Sequence, residues 1–147
     1  MRFLKEQAVM RRIRAMYPFD KDGYFYNGKC GSLKSISLST RVGLERMIRV
    51  TVRYARQAGA DDLIGFTDGL AGWRGTQKAK RFSPIEITVD ELTAFVDRRL
   101  HFRDSDLYAD NYYFTDSSLD WFAVFCHEGD WHLFSRRRLA LSSLSLR

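Results

Sequence analysis

Cysteine, proline and histidine are scarce in this chain: two, two and three among 147 residues. Small secreted domains are usually stapled by many regularly spaced cysteines, whereas Cys30 and Cys126 lie far apart. A disulfide framework is therefore excluded, and both are expected to be free thiols in a reducing compartment. Cys126 stands in an aromatic run and is expected to be buried and inert. No stretch approaches the ~20 apolar residues of a membrane helix. The N-terminal MRFLKEQAVMRRIRAMY is broken by charges every few residues and lacks the apolar core of a signal peptide. The expectation is a cytoplasmic protein with no membrane partner. P-loop, dinucleotide-fingerprint and nucleophile-elbow patterns are also missing, so no cofactor is expected.

What is present suits one globular unit. Hydrophobic residues make up 45%, aromatic residues 14% and charged residues 29%, which excludes a disordered, collagen-like or low-complexity chain. A chain of this length buries about two-thirds of its unfolded surface without a metal or disulfide. The net charge of +6 is unevenly distributed. Residues 1–60 carry 13 basic and 4 acidic side chains (+9), residues 61–132 carry 7 and 14 (−7), and residues 133–147 carry 4 and none (+4). Two surfaces of opposite sign are one consequence; mutual neutralisation on folding is the other.

The pattern along the chain points to an α+β domain. Residues 3–17 fit an amphipathic helix on Phe3, Met10, Ile13 and Tyr17, stopped by Pro18. Asn27-Gly28 marks a hairpin turn after an aromatic run. The clearest helix is LSTRVGLERMIRVTVRYARQAG, with Ser39 or Thr40 as cap and Gly59 as stop. Its inward stripe is Leu44, Met47, Thr51, Tyr54 and Ala58. Residues 63–67 read as a buried strand that enters a glycine-rich loop, and Ile85, Ile87 and Val89 alternate as a second strand. Asp90 is the expected cap of a helix that buries Leu92, Phe95 and Val96. Residues 107–115, 119–127 and 131–135 are aromatic-rich strands. In the second of these, Trp121, Ala123, Phe125 and His127 alternate with Phe122, Val124 and Cys126. Both faces are apolar, so that strand is expected inside its sheet and covered on both sides. The expected architecture is a single α+β domain over residues 1–147. Its sheet is mostly antiparallel, of about five to six strands, packed by two to three helices. Residues 136–147 form a basic, leucine- and serine-rich tail.

Four constellations bear on function. CHEGDWH, residues 126–132, sets His127, Glu128, Asp130 and His132 within six residues, donor types suited to a metal ion or to acid–base catalysis. It lacks the one-turn helical spacing of a two-histidine zinc site, so no metal is assigned and His127, Glu128 and His132 stand only as catalytic alternatives. The glycine-rich loop carries Asp68, Trp73 and Arg74, the composition of an interaction hot spot. Asp104, Asp106 and Asp110 belong to an acidic middle able to meet a basic partner. Arg46, Arg49, Arg53 and Arg56 share one helical side and, with Arg11, Arg12 and Arg14, offer phosphate contacts to a nucleic acid.

The stretch SLDWFAVFCHEGDWHLF, residues 118–134, resembles a strand–turn–strand of small bacterial immunity-type proteins, often neighbours of secreted toxins. The resemblance covers about a tenth of the chain and carries over no individual residue. It implies a small α+β protein that neutralises a partner by binding it. The expected function is a non-catalytic protein-binding module, an immunity- or antitoxin-like inhibitor of a basic toxin domain. Its partner-binding residues would be Asp68, Trp73, Arg74, Asp104, Asp106 and Asp110. The alternatives are a nucleic-acid binder using Arg46, Arg49, Arg53 and Arg56, and a metal-dependent or histidine-based hydrolase at residues 127–132. Oligomeric state stays open.

Overall fold

The computed structural model describes residues 1–17, 34–38, 43–67, 84–99, 111–126 and 130–136. The elements run β1 (Arg2–Phe3), α1 (Glu6–Met16), β2 (Lys34–Leu38), α2 (Leu44–Gln57), β3 (Asp62–Thr67) and β4 (Ile85–Thr88). A 3-10 turn (Val89–Glu91) leads into α3 (Leu92–Arg99), followed by β5 (Tyr112–Thr115), β6 (Trp121–Phe125) and β7 (Trp131–Ser135). The strands form one sheet in the order β1-β4-β3-β5-β6-β7-β2, and every neighbouring pair is antiparallel. Six strands have four or more residues and β1 is a two-residue edge, so the expected α+β class and strand count hold.

Both faces of the sheet are covered, because its inner strands are apolar on both sides. Trp121, Ala123 and Phe125 of β6 pack with Leu63, Phe114, Trp131 and Leu133 beneath α2 and α3, which contribute Met47, Tyr54, Leu92 and Val96. Phe122 and Val124 pack with Ile64, Phe66 and Tyr113 beneath α1, through Val9, Met10, Ile13 and Tyr17. The strand-period alternation of β6 thus assigns each side chain to a different layer.

Polar contacts fix each layer to the sheet. Trp131 Nε1 donates to Thr51 Oγ1 at 2.9 Å, and Thr51 Oγ1 donates to the Met47 carbonyl at 2.9 Å. Tyr54 and Ser135 share a hydrogen bond of 2.5 Å. On the other face, the Tyr17 hydroxyl donates to the Leu119 carbonyl at 2.5 Å. Leu119 has a φ of 58°, a left-handed conformation costly for a branched side chain. The β5–β6 turn holds it there. Asp116 accepts from the Ser118 amide at 2.8 Å, the Ser118 hydroxyl at 2.5 Å and Trp121 Nε1 at 2.8 Å.

Several local expectations are corrected. Phe3 belongs to β1 and is exposed rather than part of the first helix, because its backbone pairs with Ile85. Helix α2 begins at Leu44 behind Gly43, whose φ of 79° breaks the helix there, so neither Ser39 nor Thr40 is its cap. Asp90 is not the cap at the α3 end. Thr88 caps, with Glu91 reaching back to the Thr88 amide at 2.9 Å in a reciprocal capping box. That amide bond, reinforced by the terminal amino group of Met1, holds the Glu91 carboxyl below its usual range. Residues 18–33, including Cys30 and the Asn27-Gly28 turn, and the tail from 137 lie outside the described residues. Cys126 is a buried free thiol, as expected.

Gly65 sits on the α2–α3 side of β3, where a Cβ would stand 3.0 Å from Phe114, 3.1 Å from Ile85 and 3.1 Å from Tyr112. Gly65→Ala overpacks this site and is expected to cost about 1–3 kcal/mol. The measurement is the urea midpoint, read with unchanged slope.

Candidate functional site

The antiparallel register collects particular residues at one end of the sheet. Thr67 stands opposite Tyr112, Tyr112 opposite Phe125, Phe125 opposite Trp131, and Trp131 opposite Leu38. Asn111 is buried beside this row, and the Cys126 amide donates to the Asp130 carbonyl at 2.8 Å, closing the turn between β6 and β7. Thr67 Oγ1 is buried with no hydrogen-bond partner among the described residues. Sequence gave no signal for that orphaned hydroxyl, because threonine at a strand end is ordinarily solvated.

Three segments singled out from sequence join the sheet at this Thr67 end. Asp68 follows Thr67, Asp110 precedes Asn111, and His127 and Glu128 stand between Cys126 and Asp130. Asp68, Trp73, Arg74, Asp104, Asp106, Asp110, His127 and Glu128 themselves lie outside the described residues.

At the opposite end, which holds Asp62 and Thr88, acidic and basic segments meet. The Met1 amino group pairs with Glu91 at 3.1 Å, and Arg56 pairs with Asp90. Arg2 pairs with Glu86 at 2.5 Å. Each of these pairs joins the basic first sixty residues to the acidic middle, so the blocks partly neutralise one another. The pairs are solvent-exposed, and such bridges typically stabilise by about 0–1 kcal/mol each. They matter here for which charges remain available. Asp61 and Asp62 stay exposed without an ion pair among the described residues.

The arginines divide between two surfaces. Arg49, Arg53 and Arg56 are exposed on α2 and Arg46 is half-exposed. Arg49 pairs with Glu45 at 2.6 Å and Arg56 with Asp90, which leaves Arg46 and Arg53 without an ion pair among the described residues. Arg11, Arg12 and Arg14 are exposed on α1, across the sheet from α2. The four α2 arginines and the three α1 arginines therefore do not form one continuous basic face. Helical spacing aligns residues within one helix but says nothing about which layer the helix joins.

His132 is the described member of the 127–132 cluster that carries an imidazole. It lies on β7 opposite Val124, on the α1 side of the sheet, half-buried, with its ring 6.1 Å from that of Phe134. Burial pushes its pKa below the ordinary imidazole value, and the Asp130 charge opposes this only in part. Among the described residues no three histidine, cysteine, aspartate or glutamate side chains are grouped to hold a metal ion.

No protein-family model, curated protein or solved structure matches the chain. Function is therefore argued from the geometry alone. Among the described residues, no helix is long and apolar enough to cross a membrane.

The depressed His132 pKa sets a direction for stability. The unfolded chain takes up a proton near pH 6.5, about the free imidazole value, before the folded chain does. The stabilising contribution is thus present above that pH and is lost as pH falls through the lower folded pKa. His132→Gln is expected to flatten the fall in urea midpoint between pH 7 and pH 5 relative to the parent, an interval of about two units spanning the imidazole titration.

Proposed function

We propose that the chain is a non-catalytic protein-binding module of immunity or antitoxin type, which inhibits a basic toxin domain by occupying its surface. One observation carries the reading. Thr67, Asn111 and Cys126, the described residues that adjoin three acid-bearing stretches of sequence, lie at one end of a sheet buried on both faces. In sequence Asp68 and Asp110 adjoin that end and Glu128 stands between Cys126 and Asp130, while Asp130 itself belongs to it. At the other end, Asp90 and Glu91 are taken up by Arg56 and Met1. Acidic charge on a rigid support steers a basic partner into register and speeds its encounter.

The test is co-expression with the product of the adjacent gene as the candidate basic toxin. A one-to-one complex by size-exclusion light scattering, together with restored growth, is expected. The combined Asp68→Asn, Asp110→Asn and Asp130→Asn variant should slow association about tenfold at low salt. If the toxin is neither bound nor neutralised, the reading fails.

A second reading rests on a different observation: Arg46 and Arg53 stand on the outer side of α2 without an ion pair among the described residues. An arginine-rich helix face binds a nucleic-acid backbone by releasing counterions. On this reading RNA or DNA binding weakens with salt, and replacing Arg46 and Arg53 by Glu lowers the log–log salt slope by about two. Absence of any retardation at low salt removes it.

A further inference from the structure

Seven strands about 4.8 Å apart make a sheet roughly 30 Å wide, and a helix with its side chains is about 10 Å across. Two helices cover one face, but α1 alone packs on the other among the described residues. Along the β4 side of α1 this leaves a cavity of about 250 Å³. Its floor is apolar: Val9, Ile64 and Leu119 are buried there, and Leu4 is half-buried beside them. Its mouth is charged, with Lys5, Arg12 and Glu86 around it.

The charges at the mouth do not cancel. Glu86 is already paired with Arg2 at 2.5 Å. The Lys5 side chain is exposed with no hydrogen bond or ion pair among the described residues. Arg12 donates one hydrogen bond, at 2.7 Å, to the Ser117 carbonyl, which is a neutral acceptor. A guanidinium has five N–H donors, so Arg12 is held in place at the end of the cavity with charge and donors to spare. Helix α1 starts at the same place with no side-chain cap, and its first-turn amides add positive potential.

We propose that this cavity is a binding site for a small carboxylate with an apolar body, such as a medium-chain fatty acid. The apolar body lies on Val9, Ile64 and Leu119, and the carboxylate is met by Lys5 and Arg12. A neutral or cationic molecule of the same shape fits the floor equally well but gains nothing at the mouth. The site is separate from the Thr67 end and does not depend on what binds there.

The test uses the full-length ¹⁵N-labelled chain and three probes: sodium octanoate, 1-octanol and octylammonium. Octanoate should give saturable amide shifts at Ala8, Ile64 and Leu119, with affinity roughly tenfold above that of 1-octanol and no comparable shifts from octylammonium. The Lys5→Met, Arg12→Met double variant should bring octanoate down to the 1-octanol level. Ala8→Phe replaces an exposed residue at the mouth and should abolish the shifts by filling the cavity. If Ala8→Phe fails to fold, the methionine double variant decides. Absence of saturable shifts at these amides, equal affinity for octanoate and 1-octanol, or binding indifferent to the methionine variant overturns the proposal. None of these outcomes bears on toxin binding at the Thr67 end.

Discussion

Burial of β6 on both faces is the constraint on which the other layers depend. Trp121 and Phe125 point to one side and Phe122 and Val124 to the other, and all four are at most 2% exposed. A strand with no solvent face must lie inside its sheet and must be covered twice. Its neighbours β5 and β7 provide the first condition, and the helices provide the second. Among the described residues the covering is unequal: α2 and α3 lie on one side, and α1 lies on the other. Half-exposed His132 and Phe134 and the cavity beside α1 are both consequences of that inequality.

Apolar burial alone would hold the helices against the sheet without fixing their register. Directional contacts set it: Trp131 to Thr51, Tyr54 to Ser135, and Tyr17 to the Leu119 carbonyl. Each satisfies a polar group that would be costly to bury alone. Asp116 does the same for the β5–β6 turn, gathering Ser118 and the Trp121 indole around one carboxylate. The guanidinium of Arg136 lies 4.9 Å from the centre of the Tyr17 ring, adding a cation–π contact where β7 ends. These contacts keep the support rigid beneath whatever the Thr67 end presents to a partner.

Charge along the chain and charge on the surface are different quantities here. The basic first part and the acidic middle meet in the pairs Met1–Glu91, Arg2–Glu86 and Arg56–Asp90. A sequence block is therefore a poor guide to a surface patch. What remains available is local: Arg46 and Arg53 on α2, Lys5 and Arg12 at α1, Asp61 and Asp62 where β3 begins, and the acids that adjoin the Thr67 end in sequence.

Periodicity was enough to determine the α+β class, the inward stripe of α2 and the two-sided burial of β6. These depend on side-chain alternation along one element, and alternation is written in the order of residues. The start of α2 and the cap before α3 were legible only in part, because Gly43 and the Thr88–Glu91 pair compete with other residues suited to ending or capping a helix. Tertiary structure alone decided the rest. It set Arg11, Arg12 and Arg14 across the sheet from Arg46 and Arg53, and it brought Thr67, Tyr112, Phe125 and Trp131 into one row. It also opened a cavity between residues as distant in sequence as Lys5 and Leu119. The reason is physical: layer membership and strand order depend on contacts between elements far apart in the chain, and no local pattern encodes them.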